Sequence, residues 1–236
     1  MYGFAAGHEE VREYLHSQRL EKGGPLRVGC VGARGISRTQ RREAGGLGRW
    51  ATTCGCVLVT GGCRGADQAY TGHYRYDLPD PVAVQVGARL EVCLPWPEYE
   101  DDYIQGLWRT MMGRSWPGSS ELELSGRLGS SPLMLTTPES AVDIHLMAAA
   151  GGLGRSIGGR YGPFFMRNAQ IVLGPKPPMT KLDVLLAMPD TDKPRYGGTG
   201  HTMRVALAYD VPIWWLDRDV WVLSQRGDKL PGLYGG

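Results

Sequence analysis

The chain has 236 residues, of which 42% are hydrophobic and 21% charged, so it is long enough and apolar enough to bury a sizeable core. Its net charge of +2 does not by itself indicate a nucleic-acid-binding protein. No apolar run approaches the roughly 20 residues that span a bilayer, and the N-terminus lacks a basic region followed by an apolar core. We therefore expect a cytoplasmic protein with no membrane partner.

The first part of the chain predicts a helix, a strand and a second helix. Residues 8–21 place apolar side chains near one helical face with acids in the first turn, which predicts a helix at the edge of the domain. Residues 26–31 predict the first strand, and a glycine-rich strand end follows at 32–35. A charged stretch then predicts a helix that runs to about Thr53.

The stretch from Cys56 to Tyr70 carries the clearest local signal for a binding site. Its apolar residues 57–59 predict a short buried strand, which breaks at Gly61 and Gly62 and restarts as a helix at 65–67. Paired glycines at the end of a parallel strand bring backbone N–H groups close to an anion, and the helix aims its positive end at the same point. This geometry suits a phosphate. A plain tight turn is the alternative, because GGxxGAD matches no standard dinucleotide or Walker fingerprint.

The third strand, predicted at 89–94, precedes a long segment in which the alternation of strands and helices stops. Glycine, serine and proline are scattered through it, and one helix is predicted from Thr137 to about Ala150. Residues 99–158 are too many for an ordinary connection without a core strand. We therefore predict an insertion with some structure of its own.

The alternation resumes at Pro163. The predicted elements are a helix at 164–172, a strand at 182–188, a loop at 190–200, a helix at 201–209 and a strand at 211–216. Short apolar strands separated by helices indicate an α/β, doubly wound, Rossmann-like sheet that is mainly parallel and five-stranded. In such sheets the ligand lies over the carboxyl ends of the strands, where the three glycine-rich strand ends are expected to converge. Residues 220–223 are expected to add an edge strand or a partner contact.

The order of these motifs resembles the SLOG superfamily. The segments that carry the resemblance are VGCVGARGIS, VLVTGGCRGADQAY, LEVCLPW, YGPFFMRNAQIV, DVLLAMPD and GGTGHTMRVALAYDVPIWWL. The superfamily includes the Rossmann domain of DNA-processing protein A, the lonely-guy phosphoribohydrolases, and small nucleotide-binding domains of phages and bacteria, to which the pattern is most similar. The resulting plan is a helical cap at 1–24, a nucleotide-binding domain at 25–98 and 159–216, an insertion at 99–158, and a tail at 217–236.

The resemblance implies a ligand site made of four groups of residues. Gly32 and Arg34 would line one wall, and Arg167 and Asn168 would close the pocket. The phosphate-facing turn would consist of Gly61, Gly62, Arg64, Gly65 and Asp67, and the second phosphate contact of Gly198 and Thr199.

One departure from the family concerns catalysis. The phosphoribohydrolases carry a glutamate three residues beyond their GGxGT motif, and Arg204 stands at that place here. A carboxylate is what would stabilise an oxocarbenium-like centre or activate water during N-glycosidic cleavage. The remaining catalytic candidates are Asp67, which is otherwise a helix cap, and His201, which is otherwise a solvated polar residue.

The cysteine pattern does not indicate a metal site. The chain has five cysteines, and those at 54 and 56 form CxC rather than CxxC, with no histidine pair at zinc spacing nearby. Buried free thiols are the favoured interpretation. We predict neither a metal nor a cofactor.

Three functions follow as hypotheses. The first is the binding of a nucleotide or nucleotide-derived small molecule, by a sensor, a sequestering protein or an enzyme that cleaves its N-glycosidic bond. The second is single-stranded DNA binding through Arg38, Arg41, Arg42 and Arg49. The alternative for these arginines is a solvated face without a binding role. The third is an assembly protein that keeps the fold as a scaffold, and we expect a homo-oligomer.

Overall fold

The computed structural model describes residues 5–75, 89–96, 99–112, 133–136, 162–174, 181–190 and 197–228. These residues form an eight-stranded sheet with helices packed against it. The strands are β1 Ala5–Ala6, β2 Arg27–Gly32, β3 Val57–Thr60, β4 Arg89–Cys93, β5 Leu133–Thr136, β6 Val184–Met188, β7 Ile213–Asp217 and β8 Val220–Ser224. The helices are α1 His8–Lys22, α2 Arg38–Thr53, α3 Ala66–Thr71, α4 Asp101–Met112, α5 Gly162–Leu173 and α6 Gly197–Ala208, with a 3-10 turn at Gly72–Arg75.

The sheet has the spatial order β1-β8-β7-β6-β2-β3-β4-β5. Every pairing from β7 across to β5 is parallel, whereas β8 pairs antiparallel with β7 and β1 antiparallel with β8. The chain enters the parallel part at β2, builds outward to β5, and then returns to β6 on the other side of β2. The strand order therefore reverses between β2 and β6, and such a switch point opens a crevice at the carboxyl ends of the strands.

Both faces of the sheet are covered, because the strand residues alternate between two separate cores. On β3, Leu58 packs into the core that α1, α2, α3 and α4 cover, while Val57 and Val59 pack into the core that α5 and α6 cover. All four residues of β3 are buried. This double burial explains why the parallel strands read as continuous apolar runs rather than as alternating patterns.

Helix α2 combines a strong start with a close approach to its neighbour. The hydroxyl of Ser37 accepts a hydrogen bond from the amide of Gln40 at 3.1 Å, and the Gln40 side chain accepts one from the amide of Ser37 at 2.9 Å. This reciprocal pair satisfies two amides at the helix start. A Cβ on Gly48 would overlap the backbone carbonyl of Tyr70, so glycine is what lets α2 lie directly on α3.

Most predicted elements are confirmed within a residue or two. These include the helix at 8–21 and the strands at 26–31, 57–59, 89–94, 182–188 and 211–216. The tail segment 220–223 is confirmed as a strand, β8. The predicted helix from Thr137 lies outside the described residues. None of the helices within the described ranges is long and apolar enough to cross a membrane.

Three expectations are wrong. The sheet is not five-stranded, since it has eight strands. The segment 99–158 does contain a core strand, because β5 pairs in parallel with β4; four residues among glycines and serines are too short an apolar run to distinguish from a loop. Helix α6 begins at Gly197 rather than at His201. Glycines are poor helix formers, so the sequence pattern predicted a loop at 197–200, whereas the first turn of the helix includes them. The division of the chain into domains stays a prediction.

A buried ion pair links β2 to β4 across β3. The guanidinium of Arg27 donates to both carboxylate oxygens of Glu91 at 2.7 and 2.6 Å, and both side chains are almost fully buried. Arg89 also approaches Glu91, with Nε 3.0 Å from Oε1. The two hydrogen bonds fix the separation of β2 and β4 at this end of the sheet.

We expect Glu91→Gln to lower the free energy of unfolding by about 3 to 5 kcal/mol, because it leaves the buried Arg27 charge without its counterion. The matched control is Glu100→Gln, which removes the partner of Arg64, a side chain that is 78% exposed; this change should cost less than about 1 kcal/mol. Urea denaturation measures both values. Equal losses in the two variants would contradict the importance of the buried pair.

Candidate functional site

A cavity of about 620 Å³ lies at the carboxyl ends of β2 and β6, at the switch point of the sheet. Its walls come from the end of β2 (residues 31–34), the turn after β3 and the start of α3 (Cys63 and Asp67), helix α5, Asp190 after β6, and the first turns of α6. The volume falls within the range of small-molecule sites. Five separate segments of the chain therefore converge on one hollow, as the strand-end argument predicts.

The carboxylate of Asp67 joins the two turns that form the floor of this cavity. Oδ1 accepts a hydrogen bond from the amide of Gly32 at 3.0 Å, and Oδ2 accepts one from the amide of Cys63 at 3.2 Å. Asp67 is only 2% exposed, and its Oδ2 lies 3.8 Å from Nη1 of Arg167. The strand-end amides that the sequence suggested for a phosphate thus already bind an anion that belongs to the chain.

Burial raises the pKa of Asp67 to about 6, because desolvation of the carboxylate outweighs the opposing effects of Arg167 and of the backbone amides at Gly32, Cys63 and Gly61. The group is therefore mainly ionised at neutral pH and pairs with Arg167. It becomes protonated in mildly acidic solution, where that pairing weakens.

Arg167 on α5 fills the space beside Asp67. Its side chain is 6% exposed, and Nη2 donates a hydrogen bond to Sγ of Cys63 at 3.4 Å. A Cβ on Gly61 would overlap the guanidinium, so a glycine at that position makes room for Arg167. The paired-glycine turn is shaped first by this internal packing.

Arg34 lies at the exposed side of the cavity, next to a cluster of aromatic rings. Its Nη2 donates to the hydroxyl of Tyr99 at 3.1 Å. The rings of Tyr99, Trp96 and Phe164 meet edge to face, with centroids 5.1 to 5.7 Å apart. Phe164 lines the cavity, and Trp96 is 39% exposed. An apolar wall and a cation therefore stand side by side.

The first turn of α6 forms the opposite wall. Gly197, Gly198 and Thr199 line the cavity there. The side-chain amide of Asn168 donates a hydrogen bond to the carbonyl of Gly198 at 3.2 Å and so holds this turn against α5. The first amides of a helix lack acceptors within the helix and carry its positive end, so this wall favours an anion.

His201 lies behind this wall rather than on it. The side chain is fully buried, its ring packs on Phe165 with centroids 4.8 Å apart, and its Nδ1 lies 3.5 Å from the Asn168 side-chain nitrogen. It is not among the residues that line the cavity. These contacts give His201 a packing role between α5 and α6.

The structure brings together seven of the predicted ligand-site residues as cavity lining, namely Gly32, Arg34, Asp67, Arg167, Asn168, Gly198 and Thr199. The rest of the predicted phosphate turn does not line the cavity. Gly61 packs on Arg167. At Gly62 (φ +67°) a Cβ would meet Val92 of the core at 3.0 Å. Gly65 (φ +96°) leaves room for the backbone of Ala33 and Arg34, and Arg64 pairs with Glu100 at 3.0 Å in solvent. Ligand contacts by these residues stay a prediction.

Several lining or adjacent residues were missed by the sequence analysis. Cys63 lies inside the glycine turn and lines the cavity, but the sequence analysis assigned it only as a free thiol. Asp190 lies two residues beyond the predicted strand at 182–188, and its position at a strand end could have identified it. Phe164 and Phe165 were placed on a helix without a role. Tyr99 had no local signal, because its contact with Arg34 joins residues 65 positions apart.

The arginines of the DNA hypothesis share one face of α2. Arg38, Arg41, Arg42 and Arg49 are all exposed, and their spacing of three to four and then seven residues repeats on one side of a helix. Arg34, which lines the cavity and is also exposed, precedes this helix by four residues. The exposed face of α2 is therefore positively charged.

The raised pKa of Asp67 predicts a pH-dependent stability. The folded-state value of about 6 lies above the ordinary 3.8 of the unfolded chain, so the folded protein holds the proton more tightly. The associated stability is complete below pH 3.8 and is lost as pH rises through about 6, by on the order of 3 kcal/mol.

Asp67→Asn removes this titration, so the difference in unfolding free energy between wild type and variant should shift within that window and be level above about pH 7. Urea denaturation between pH 3.5 and 8 measures it. A difference that is flat across the window would show that Asp67 does not titrate as its burial requires.

Comparison with solved structures finds a protein with a similar fold. No family model and no curated protein sequence matches this chain. DNA processing protein A from Helicobacter pylori, solved in a study of its single-stranded DNA binding mode, is similar with a TM-score of 0.48 and 14% identity over 82% of this chain. The match covers 66% of that protein, so this chain spans about two thirds of its length. A likeness at this level does not assign the chain to a family.

Proposed function

We propose that this protein binds a nucleotide or nucleotide-derived ligand in the cavity at the switch point, with the ligand phosphate at the first turn of α6. The observation that carries the proposal is the convergence of Arg34, Arg167 and the start of α6 on a single hollow. Open crevices at this place in a parallel α/β sheet are where such folds bind ligands.

The phosphate position follows from which donors remain available. The amides of Gly32 and Cys63 are taken by Asp67, so they cannot serve a ligand. At the start of α6 a Cβ on Gly197 would meet nothing within 4 Å among the described residues, and Gly197 lines the cavity. An anion there gains the first N–H groups of the helix, which have no acceptor within the helix, and the positive end of a twelve-residue helix.

The size and chemistry of the walls favour a nucleotide over a bare phosphate. A volume of about 620 Å³ leaves ample room beyond one phosphate group. Phe164 and Phe165 supply an apolar surface for a base, and Asp190 supplies a hydrogen-bond acceptor suited to hydroxyl groups of a sugar.

The geometry favours binding over hydrolysis. Cleavage of an N-glycosidic bond calls for a carboxylate that faces the ligand. Both oxygens of Asp67 are engaged by backbone amides and the side chain is buried, while Arg204 occupies the place of the family glutamate. Asp190, the other carboxylate among the described lining residues, is assigned here to the sugar hydroxyl groups, so we propose a sensing or sequestering role.

Single-stranded DNA binding, the property named for the Helicobacter pylori protein, is the second candidate. It is favoured in this chain by the exposed arginine face of α2 and by Trp96, whose ring is 39% exposed beside Arg34. Basic side chains that follow a backbone and aromatic rings that stack on bases are the two features of such sites.

For the nucleotide proposal we expect wild type to bind ADP-ribose or AMP, and Arg34→Gln to weaken that binding about tenfold, because it removes a cation from the cavity that receives the anionic ligand. Arg64→Gln is the matched control, because Arg64 belongs to the same predicted site but pairs with Glu100 outside the cavity lining. Isothermal titration calorimetry measures the affinities. Equal losses in both variants, or no binding by wild type, would contradict the proposal.

The DNA candidate is tested with a fluorescent oligothymidylate and the triple variant Arg38→Gln, Arg41→Gln, Arg42→Gln. If this candidate is correct, affinity should fall steeply with added salt and drop further in the triple variant, because fewer phosphates are neutralised. Binding of ADP-ribose should be unchanged in the same variant. DNA affinity that ignores salt and all three arginines would remove the candidate.

A further inference from the structure

All five cysteines are free, and one of them has surroundings unlike the others. Cys30, Cys56 and Cys93 are buried, whereas Cys54 and Cys63 are half-buried. Only Cys63 among these five lines the cavity. It lies in the turn after β3, where its backbone amide is fixed by Asp67.

The sulfur of Cys63 is positioned to accept two hydrogen bonds. Arg167 donates to it through Nη2 at 3.4 Å, and the hydroxyl of Tyr99 lies 2.9 Å away. Because that hydroxyl accepts a hydrogen bond from Arg34, its own hydrogen is left for the sulfur. Two donors, one of them a guanidinium, therefore hold the sulfur in the turn that lines the cavity, and the thiolate is the form of cysteine that attacks a disulfide.

A second observation indicates an anionic ligand at the same point. Nε of Arg167 is buried and has no hydrogen-bond partner among the described residues, although the side chain is only 6% exposed and lines the cavity. A buried donor of this kind is costly unless an acceptor meets it. Because Asp67 balances the charge of Arg167, Arg34 is the cation that the described lining leaves for an anionic ligand.

We propose that Cys63 is a modification site for anionic low-molecular-weight disulfides, such as oxidised glutathione. In the reaction the Cys63 thiolate attacks one sulfur of the disulfide, the sulfur–sulfur bond of the reagent breaks, and a mixed disulfide forms. The other half leaves as a thiolate and takes up the proton that Cys63 gave to solvent. Cys63 is oxidised and the reagent is reduced, so the step balances with no further reactant.

The mixed disulfide regulates the cavity. An attached tripeptide would extend from the floor toward Arg34 and the first turn of α6, because those walls carry the positive charge that its carboxylates need. It therefore excludes a nucleotide, and reduction restores binding. This consequence, unlike the modification itself, rests on the proposed function.

The test exposes the full chain to oxidised glutathione and follows each cysteine by peptide mass spectrometry. Rates are divided by those of the same cysteine in the chain unfolded in urea, which removes intrinsic differences. We expect the normalised rate of Cys63 to exceed that of Cys54 by about tenfold, since burial raises the pKa of Cys54. Tyr99→Phe should slow Cys63 severalfold and leave Cys54 unchanged.

Two outcomes overturn the proposal: Cys54 reacting as fast as Cys63, or a folded Tyr99→Phe variant with an unchanged rate at Cys63. A charge comparison adds a further check, because cystamine, a cationic disulfide, should show a lower normalised rate at Cys63 than oxidised glutathione does. The reverse order would also overturn it.

Protection by ADP-ribose separates this inference from the proposed function. If Cys63 is labelled selectively and ADP-ribose slows the labelling, both are supported. If labelling is selective but ADP-ribose neither binds nor protects, the modification site stands and the nucleotide proposal fails. If ADP-ribose binds while Cys63 shows no selectivity, the modification site fails alone.

Discussion

The structure of the site depends on one buried carboxylate. Asp67 accepts hydrogen bonds from the amides of Gly32 and Cys63, at the ends of neighbouring strands, and lies 3.8 Å from the guanidinium of Arg167 on α5. It thereby connects both faces of the sheet at its carboxyl edge. Desolvation raises the pKa of Asp67 to about 6, and these partners oppose only part of that effect. Removing any one of them therefore leaves the buried charge less well compensated.

This internal anion decides which groups are left for a ligand. Amides near β2 and β3 are already satisfied, and the glycines there accommodate Arg167, Ala66 and the neighbouring backbone. Among the lining groups, those we assign to a ligand are Arg34, the aromatic wall at Phe164, and the start of α6. A glycine-rich turn in an α/β sheet can thus serve packing in one half of a site and ligand approach in the other.

The sequence was informative where local patterns determine structure. Apolar runs identified the buried strands, and the strand ends correctly pointed to one edge of the sheet. It was less informative where tertiary contacts decide. Strand β5 has only four residues, and its place in the sheet depends on pairing with β4. Arg64 points outward to Glu100 and Cys63 inward to Arg167, and both partners are distant in sequence, so local composition does not specify these directions.

We propose that phosphate binds at the first turn of α6 and not at the turn after β3. Amide chemical shifts of the labelled protein during titration with ADP-ribose test this position most directly. We expect the largest changes at Gly198 and Thr199, and small changes at Gly62 and Gly65. Largest changes at Gly62 and Gly65, with Gly198 and Thr199 unmoved, would contradict it.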